Sequence, residues 1–390
     1  MKSILSKRPA PSYNYEHQRI EEERGQCAEP CIEGEEWYKD FPFVRALIHE
    51  RQNRKTAFSQ SGKVINSGLK SNGNWLRTVF TLRARAVDVF FVPWILVTVN
   101  ASLWTFLIKV PLKEKFNISP DSWDTLYSLF LTTALAFLLV FRLNRVAIRW
   151  WDTRRMWGAI VAQSRILASC ILEHTNHDPI HRDQAIGWLA GFVVSAKQNI
   201  RNEKLLSKDE LSGFLTPYQV ESLSSSAHPC LEACAELRHA LKLAFRITPE
   251  TPFGVAAAFS SEMRLMEQSL FELINEMGGL ERVRSTPLPL VFVTHLRTFL
   301  FIYLISLPYM YAHQWGWATI PMVTITSYAL LGIDGAASEC ESPFLRNRLN
   351  HLDMEDFCST ALSNIEQLVI HNANMQLRVS VTEKCPLSVE

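Results

Sequence analysis

From Thr298 to Ile333 the chain carries no Asp, Glu, Lys or Arg. A helix needs about 20 residues to cross about 30 Å of hydrocarbon, so this stretch is too long for one span. Pro308, the segment HQWGWAT and Pro321 divide it. The reading is two spans, at about 292–311 and 317–336, joined by a tight turn. Tyr309, Tyr311, Trp315 and Trp317 then form an aromatic belt at that turn, where amphipathic rings settle between lipid and water. A second uncharged stretch, VFFVPWILVTVNASLWTFLI, gives a span at about 89–108. Pro93 and Asn100 are tolerable inside it if neighbouring helices satisfy their polar groups. The connection KVPLKEKFNISPDSWD follows, with Ser119-Pro120 as a helix start. A shorter span occupies about 125–141.

That last span does not stop at the interface. In AFLLVFRLNRVAIRWWDTRRMWG the apolar run ends at Phe141, and Arg142, Arg145, Arg149, Arg154 and Arg155 follow, interleaved with Trp150, Trp151 and Trp157. Helical periodicity continues without proline to about Leu172. A long helix that leaves lipid for a soluble region fits this pattern.

The expected fold class is therefore all-α, with four transmembrane helices and a helical cytosolic region. Residues 1–75 form a polar N-terminal region, partly disordered, with a helix around Trp37 to Arg51 and a loop at Ser59 to Asn74. Residues 76–141 hold the first transmembrane hairpin and 142–285 a cytosolic region. That region is broken near HTNHDP, SLSSSAHP and ITPETPFG. Residues 286–337 hold the second hairpin, and 338–390 a cytosolic tail, helical from Met354 to Gln376. Arg77, Arg83 and Arg85 precede the first span, Arg282 and Arg284 the third, and Arg346 and Arg348 follow the fourth. Lys109, Lys113 and Lys115 run against this trend. On balance, basic residues place both termini on the cytosol-like side.

Forty basic residues balance 39 acidic ones, so no global charge field points to nucleic acid. The eight cysteines lack the spacing of a disulfide framework. Cys27/Cys31 and Cys230/Cys234 are C-x3-C pairs without zinc-finger partners, and the reading is reduced thiols with no metal. MKSILSKRPAPSYNYEHQRIEEERG has no continuous apolar core and is no secretory signal. H-E-x-x-H, G-x-S-x-G and a P-loop are all absent, which argues against a membrane enzyme. Asp334, the lone acid near a span end, reads as a capping or interface residue.

Three separated blocks resemble the bestrophin family, in its bacterial, fungal and plant branch. FRLNRVAIRWWDTRRMWG is similar to F-R-x-N-x-A-Y-x-R-W-W-E-x-R-x-x-W-G, through Phe141, Arg142, Asn144, Arg149, Trp150, Trp151, Arg154, Trp157 and Gly158. STPLPLVFVTHLRTFLFIYLISLPY resembles I-P-L-P-x-x-Y-x-x-H-x-R, through Pro287 and His295. GIDGAASECESPF, with Glu341 and Pro343, resembles the block after the fourth span, and NHLDMEDFC the tail beyond it. The resemblance covers roughly residues 80 to 375. It implies a homopentamer around one axial pore, passing chloride or other small anions across a lipid bilayer without a cofactor.

The resemblance also implies that Thr133, Phe137 and Phe141 line a hydrophobic neck. They fall at i, i+4 and i+8 of one helix. Rings of phenylalanine exclude water, and phenyl edges carry partial positive charge that favours anions. Without the resemblance, ordinary core contacts explain the same residues. A narrower cytosolic aperture falls close to Phe259 by ungapped counting, where packing in a subunit core is the other reading. Arg142 and Arg145 also suit simple snorkelling at a span end, which fixes topology. Arg149, Arg154 and Arg155 are expected to pair with Glu339, Glu341 or Asp353. Two departures stand out. Where the animal branch has calcium-holding acids, LRNRLNH follows Pro343-Phe344, with too few oxygen ligands for a hard cation. Thr133 replaces a larger aliphatic residue and makes that end of the neck wetter.

Overall fold

The computed structural model describes residues 37–61, 86–109, 131–203, 207–346, 348 and 350–384. Most of the polar region 1–75, the basic residues before the first span, the connection with Lys113, Lys115 and Ser119-Pro120, residues 125–130 and the pair Cys27/Cys31 lie outside these. A short 3-10 turn, Trp37–Asp40, precedes ten α-helices, with no strand among the described residues. They are α1 (Pro42–Ser61), α2 (Val87–Lys109), α3 (Thr133–His174), α4 (Pro179–Arg201) and α5 (Pro217–Ser225). They continue as α6 (Pro229–Ala244), α7 (Phe253–Ser285), α8 (Leu290–Trp315), α9 (Thr319–Glu341) and α10 (Met354–Lys384).

Local sequence sets the boundaries. Helices α4, α5 and α6 each start with a side-chain cap followed by proline at the first helical position: Asp178-Pro179, Thr216-Pro217 and His228-Pro229. The cap oxygen or ring nitrogen accepts an otherwise orphaned backbone N–H, and proline has no N–H to lose. Thr216 and Gln219 complete a reciprocal capping box. Asn202 ends α4 in the left-handed conformation at φ 58°.

Three details differ from the sequence reading. Pro308 does not break the chain but lies inside α8. A neighbouring helix supplies the polar contacts a span interior needs: Asn100 Nδ2 on α2 donates to the Ile305 carbonyl at 3.2 Å, and Tyr309 Oη donates to Asn100 Oδ1 at 3.3 Å. The N-terminal helix α1 extends to Ser61 rather than ending at Arg51, and it docks on α10. Arg54, buried, donates to the carbonyls of Leu47 and Ser212 and pairs with Glu366 at 2.7 Å. The last helix runs to Lys384, eight residues past Gln376.

Two separate cores form. One is built by Val97 and Ala101 of α2, Leu135 and Leu139 of α3, Leu300, Leu304 and Leu307 of α8, and Val323 and Leu331 of α9. Gly335 lets α9 approach α2 closely, because a Cβ there would sit 2.8 Å from the Phe90 ring. The other core gathers the lower half of α3 with α1, α4, α6, α7 and α10. Helix α3, 42 residues and about 60 Å long, belongs to both. Inside the second core, Lys197 and Glu210 pair at 2.7 Å, both almost fully buried.

The faces that α2 turns away from the first core are apolar too. Val92, Leu96, Val99, Leu103 and Phe106 form an exposed stripe at i, i+4, i+7, i+11 and i+14. A helix apolar all round needs an apolar surrounding. Val87–Lys109 and the stretch Leu290–Glu341 are long and apolar enough to cross a membrane.

Candidate functional site

Leu135, Leu139, Arg142 and Val146 face the core of α3, and the opposite face stays open. Thr133, Phe137 and Phe141 all lie on that open face, with Phe137 at 71% exposure and Phe141 at 38%. The Phe137 and Phe141 rings lie 6.5 Å apart and nearly parallel. Phe292 of α8 continues the row at 6.5 Å from Phe141. Below them, Leu138, Phe141, Arg142, Arg145, Phe292 and His295 line a mostly apolar cavity of 540 Å³ between α3 and the start of α8. The open face continues through Asn144, Ile148 and Trp151.

Arginine braces the helix from behind. Arg142 is 6% exposed and pairs with Asp334, while its Nη2 donates to Ser338 Oγ at 3.1 Å. Arg297 of α8 pairs with the same carboxylate at 3.0 Å and donates to the same hydroxyl at 2.8 Å. Asp334 lies inside α9 and is no helix cap. It is a buried acid clamped by two guanidiniums, joining α3, α8 and α9.

The expected pairs of Arg149, Arg154 and Arg155 with Glu339, Glu341 or Asp353 do not form. Arg149 Nε donates to the Glu341 backbone carbonyl at 2.9 Å, and Nη2 donates to the Val283 carbonyl. Arg154 lies 4.5 Å over the Phe357 ring, and Arg155 pairs with Asp152 on the surface at 3.5 Å. The reason is geometric. Successive arginines on a helix point in different directions, and only Arg149 faces the end of α9. The Glu341 carboxylate instead accepts from Leu288 N at 2.9 Å, fixing the turn into α8 beside the exposed Pro287. Trp150 Nε1 donates to the Asn350 carbonyl at 3.2 Å, and its ring meets Trp151 edge-on at 5.1 Å. Trp157 is fully buried against Phe357. Gly158 leaves room beside Arg154, whose Nη1 would stand 3.3 Å from an added Cβ. His295 is exposed, its ring 4.7 Å from Phe299.

Phe259 stacks on His177 at 5.0 Å and meets Phe245 edge-on at 5.3 Å. Cys230 and Cys234 face the core of α6, where burial raises both thiols and keeps them protonated.

After α9 the chain turns through Pro343, which is buried. Arg348 Nη1 bridges Asp88 at the head of α2, at 2.6 Å, and Glu339 at 2.9 Å. Arg346 lies 3.4 Å from both Glu203 and Glu355. In the sequence these arginines read as basic residues flanking the fourth span and as a departure from a calcium-holding segment. Here they neutralise the carboxylates around the turn, a role that only a partner 260 residues away in the chain could reveal. Behind them Leu345 N donates to His351 Nδ1 at 2.9 Å, so that nitrogen carries no proton. Burial pushes His351 below its ordinary 6.5, with Arg348 pushing the same way and Glu339 opposing. As pH falls through 6.5 the unfolded chain takes up this proton before the folded one does, so stability declines from there downward. The melting temperature should fall between about pH 7 and about pH 5, and less steeply in His351→Gln. An equal fall in both proteins would remove His351 from the account.

Apolar helices at one end, a soluble helical body at the other and one long helix through both define a helical integral membrane protein. The chain belongs to the bestrophin family: the family described as bacterial/fungal bestrophin protein matches residues 68–367. A voltage-dependent anion channel-forming protein of Nostoc is 27% identical over 307 residues, 78% of this chain and 94% of that one. The chloroplastic voltage-dependent chloride channel 2 of Arabidopsis thaliana is 23% identical over 60% of this chain and 54% of its own. A crystal structure of a bacterial bestrophin homolog from Klebsiella pneumoniae superposes with a TM-score of 0.60 at 20% identity, over 72% of this chain and 98% of that chain.

Proposed function

We propose that the protein is an anion channel in which five copies surround one axial pore and pass chloride or similar small anions passively. The observation that carries this reading is the open face of α3. The row Thr133, Phe137, Phe141 and Phe292 is apolar apart from the threonine, and among the described residues no element covers it. Five such faces turned inward make rings that dewet easily and hold no fixed charge to trap an ion. The naming of the relatives as anion channel-forming proteins agrees with this.

Four helices, α2, the upper part of α3, α8 and α9, span the bilayer in this reading, with both termini and the second core on the cytosol-like side. The spans at 89–108, 292–311 and 317–336 fall within α2, α8 and α9, and residues 142–285 supply the cytosolic vestibule. Of the two roles for Phe259, its stack on His177 favours packing over an aperture. Conduction is independent of calcium, because guanidiniums already occupy the carboxylates after the fourth span. No three His, Cys, Asp or Glu side chains stand together as a metal group among the described residues.

The test is purified protein. Mass measurement of detergent-solubilised particles should give five chains, and liposomes should pass chloride with and without chelator. A monomer as sole species, or assembled particles that pass no anion, would leave a non-conducting scaffold as the better description. Steep activation by micromolar calcium would overturn the calcium statement alone.

A further inference from the structure

The inference concerns Arg145 and rests on the neck proposed above. Arg145 is exposed, one helical turn past Phe141 on the side of α3 that lines the cavity. Its guanidinium stands 5.1 Å over the Phe141 ring. Every other arginine of the same segment is committed elsewhere: Arg142 to Asp334, Arg149 to two carbonyls, Arg154 to Phe357 and Arg155 to Asp152. Among the described residues no carboxylate pairs with Arg145.

We propose that Arg145 is a fixed positive collar at the inner end of the neck, and that it determines how strongly the pore draws anions from dilute solution. Three physical points lead there. A guanidinium keeps its charge at every working pH, so five copies place five unneutralised charges around one narrow opening. The cavity walls beside it are apolar, and low-dielectric walls focus the field along the opening rather than letting water disperse it. The stack over Phe141 engages the electron-rich ring face and holds the charge beside the neck instead of free in the vestibule. The division of labour is then clear. Phenyl edges let an anion through the dry ring, and Arg145 raises the anion concentration at its mouth.

The experiment uses the full chain reconstituted in planar bilayers, as wild type, Arg145→Lys, Arg145→Gln and Arg145→Glu. Single-channel conductance is compared at about 0.01 M and about 1 M KCl, where screening lengths are about 30 Å and about 3 Å. Arg145→Gln should lose roughly tenfold conductance in dilute salt, the lower end of electrostatic focusing, and return close to wild type in concentrated salt. Arg145→Lys should behave as wild type. Arg145→Glu should also move the reversal potential in a KCl gradient toward the potassium value. Wild-type conductance for Gln and Glu in dilute salt would overturn the proposal. A Lys channel as weak as the Gln channel would overturn it too, by assigning the effect to the stack. Failure of the neck reading shows separately: Phe137→Ala with Phe141→Ala would then conduct as wild type in concentrated salt, while the Arg145 series keeps its salt dependence. Because Arg145 is exposed and makes no hydrogen bond among the described residues, its substitutions are expected to assemble, and particle mass checks this for each channel.

Discussion

Alanine at both Phe137 and Phe141 is expected to raise single-channel conductance roughly tenfold, the rise given by a barrier lowered by about 1.4 kcal/mol. Anions should remain favoured over cations, because Arg145 and the backbone dipoles are untouched. The argument starts from exposure. Both rings lie on the face of α3 that the described residues leave uncovered, and they stand 6.5 Å apart. In the proposed assembly around an axis, each layer would become an apolar ring too narrow for bulk-like water. Removing two phenyl groups from each copy would then widen and wet both layers together. Thr133→Ile should act in the opposite sense, lowering resting current by drying the layer nearest the outer side. A double alanine channel that conducts no better than wild type, with assembly and amount unchanged, would place the constriction elsewhere.

Loss of Asp334 should produce the largest change in stability. This carboxylate pairs with Arg142 and Arg297 at once, from three different helices. Asp334→Ala leaves Arg142, almost fully buried, without its counter-charge. Removing one partner of a buried pair costs about 3–5 kcal/mol, mainly through the uncompensated charge. The melting temperature of the detergent-solubilised protein should fall sharply, and Asp334→Asn, which keeps a hydrogen-bond acceptor, should fall less. Replacing the buried pair together, as Arg142→Met with Asp334→Leu, should recover part of the loss, because no buried charge then lacks a partner. If Asp334→Ala melts with wild type, the three helices are held by apolar packing alone.

The location of the helices was legible in the sequence because lipid and water sort residues by position along the chain. The charge-free stretch from Thr298 to Ile333 and the run from Val89 to Ile108 lie in α8, α9 and α2, and the Asp-Pro, Thr-Pro and His-Pro pairs mark where α4, α5 and α6 begin. The stripe Thr133, Phe137, Phe141 was equally readable, since three residues four apart share a helix face whatever surrounds it. The run through Pro308 was not, because whether a proline breaks a helix depends on the packing around the carbonyl it frees. Nor was the extent of α1, whose last turns are polar and gain order from Arg54 meeting Glu366 on α10.

What the sequence determined by itself is therefore an all-helical membrane chain resembling the bestrophin family, with a helix whose apolar run passes directly into an arginine-rich stretch. Periodicity and local composition carry the helices and apolar spans, because they act over one or two helical turns, and the separated motif blocks carry the resemblance to the family. Only the tertiary structure decided what each arginine does. Residues 142, 145, 149, 154 and 155 look alike in a string of letters. One is clamped on Asp334, one rides on Phe141, one reaches two carbonyls, one covers Phe357 and one stays at the surface. Their partners lie up to about 200 positions away in the chain. A guanidinium's role follows from the charge and dielectric it meets there, which no local pattern encodes.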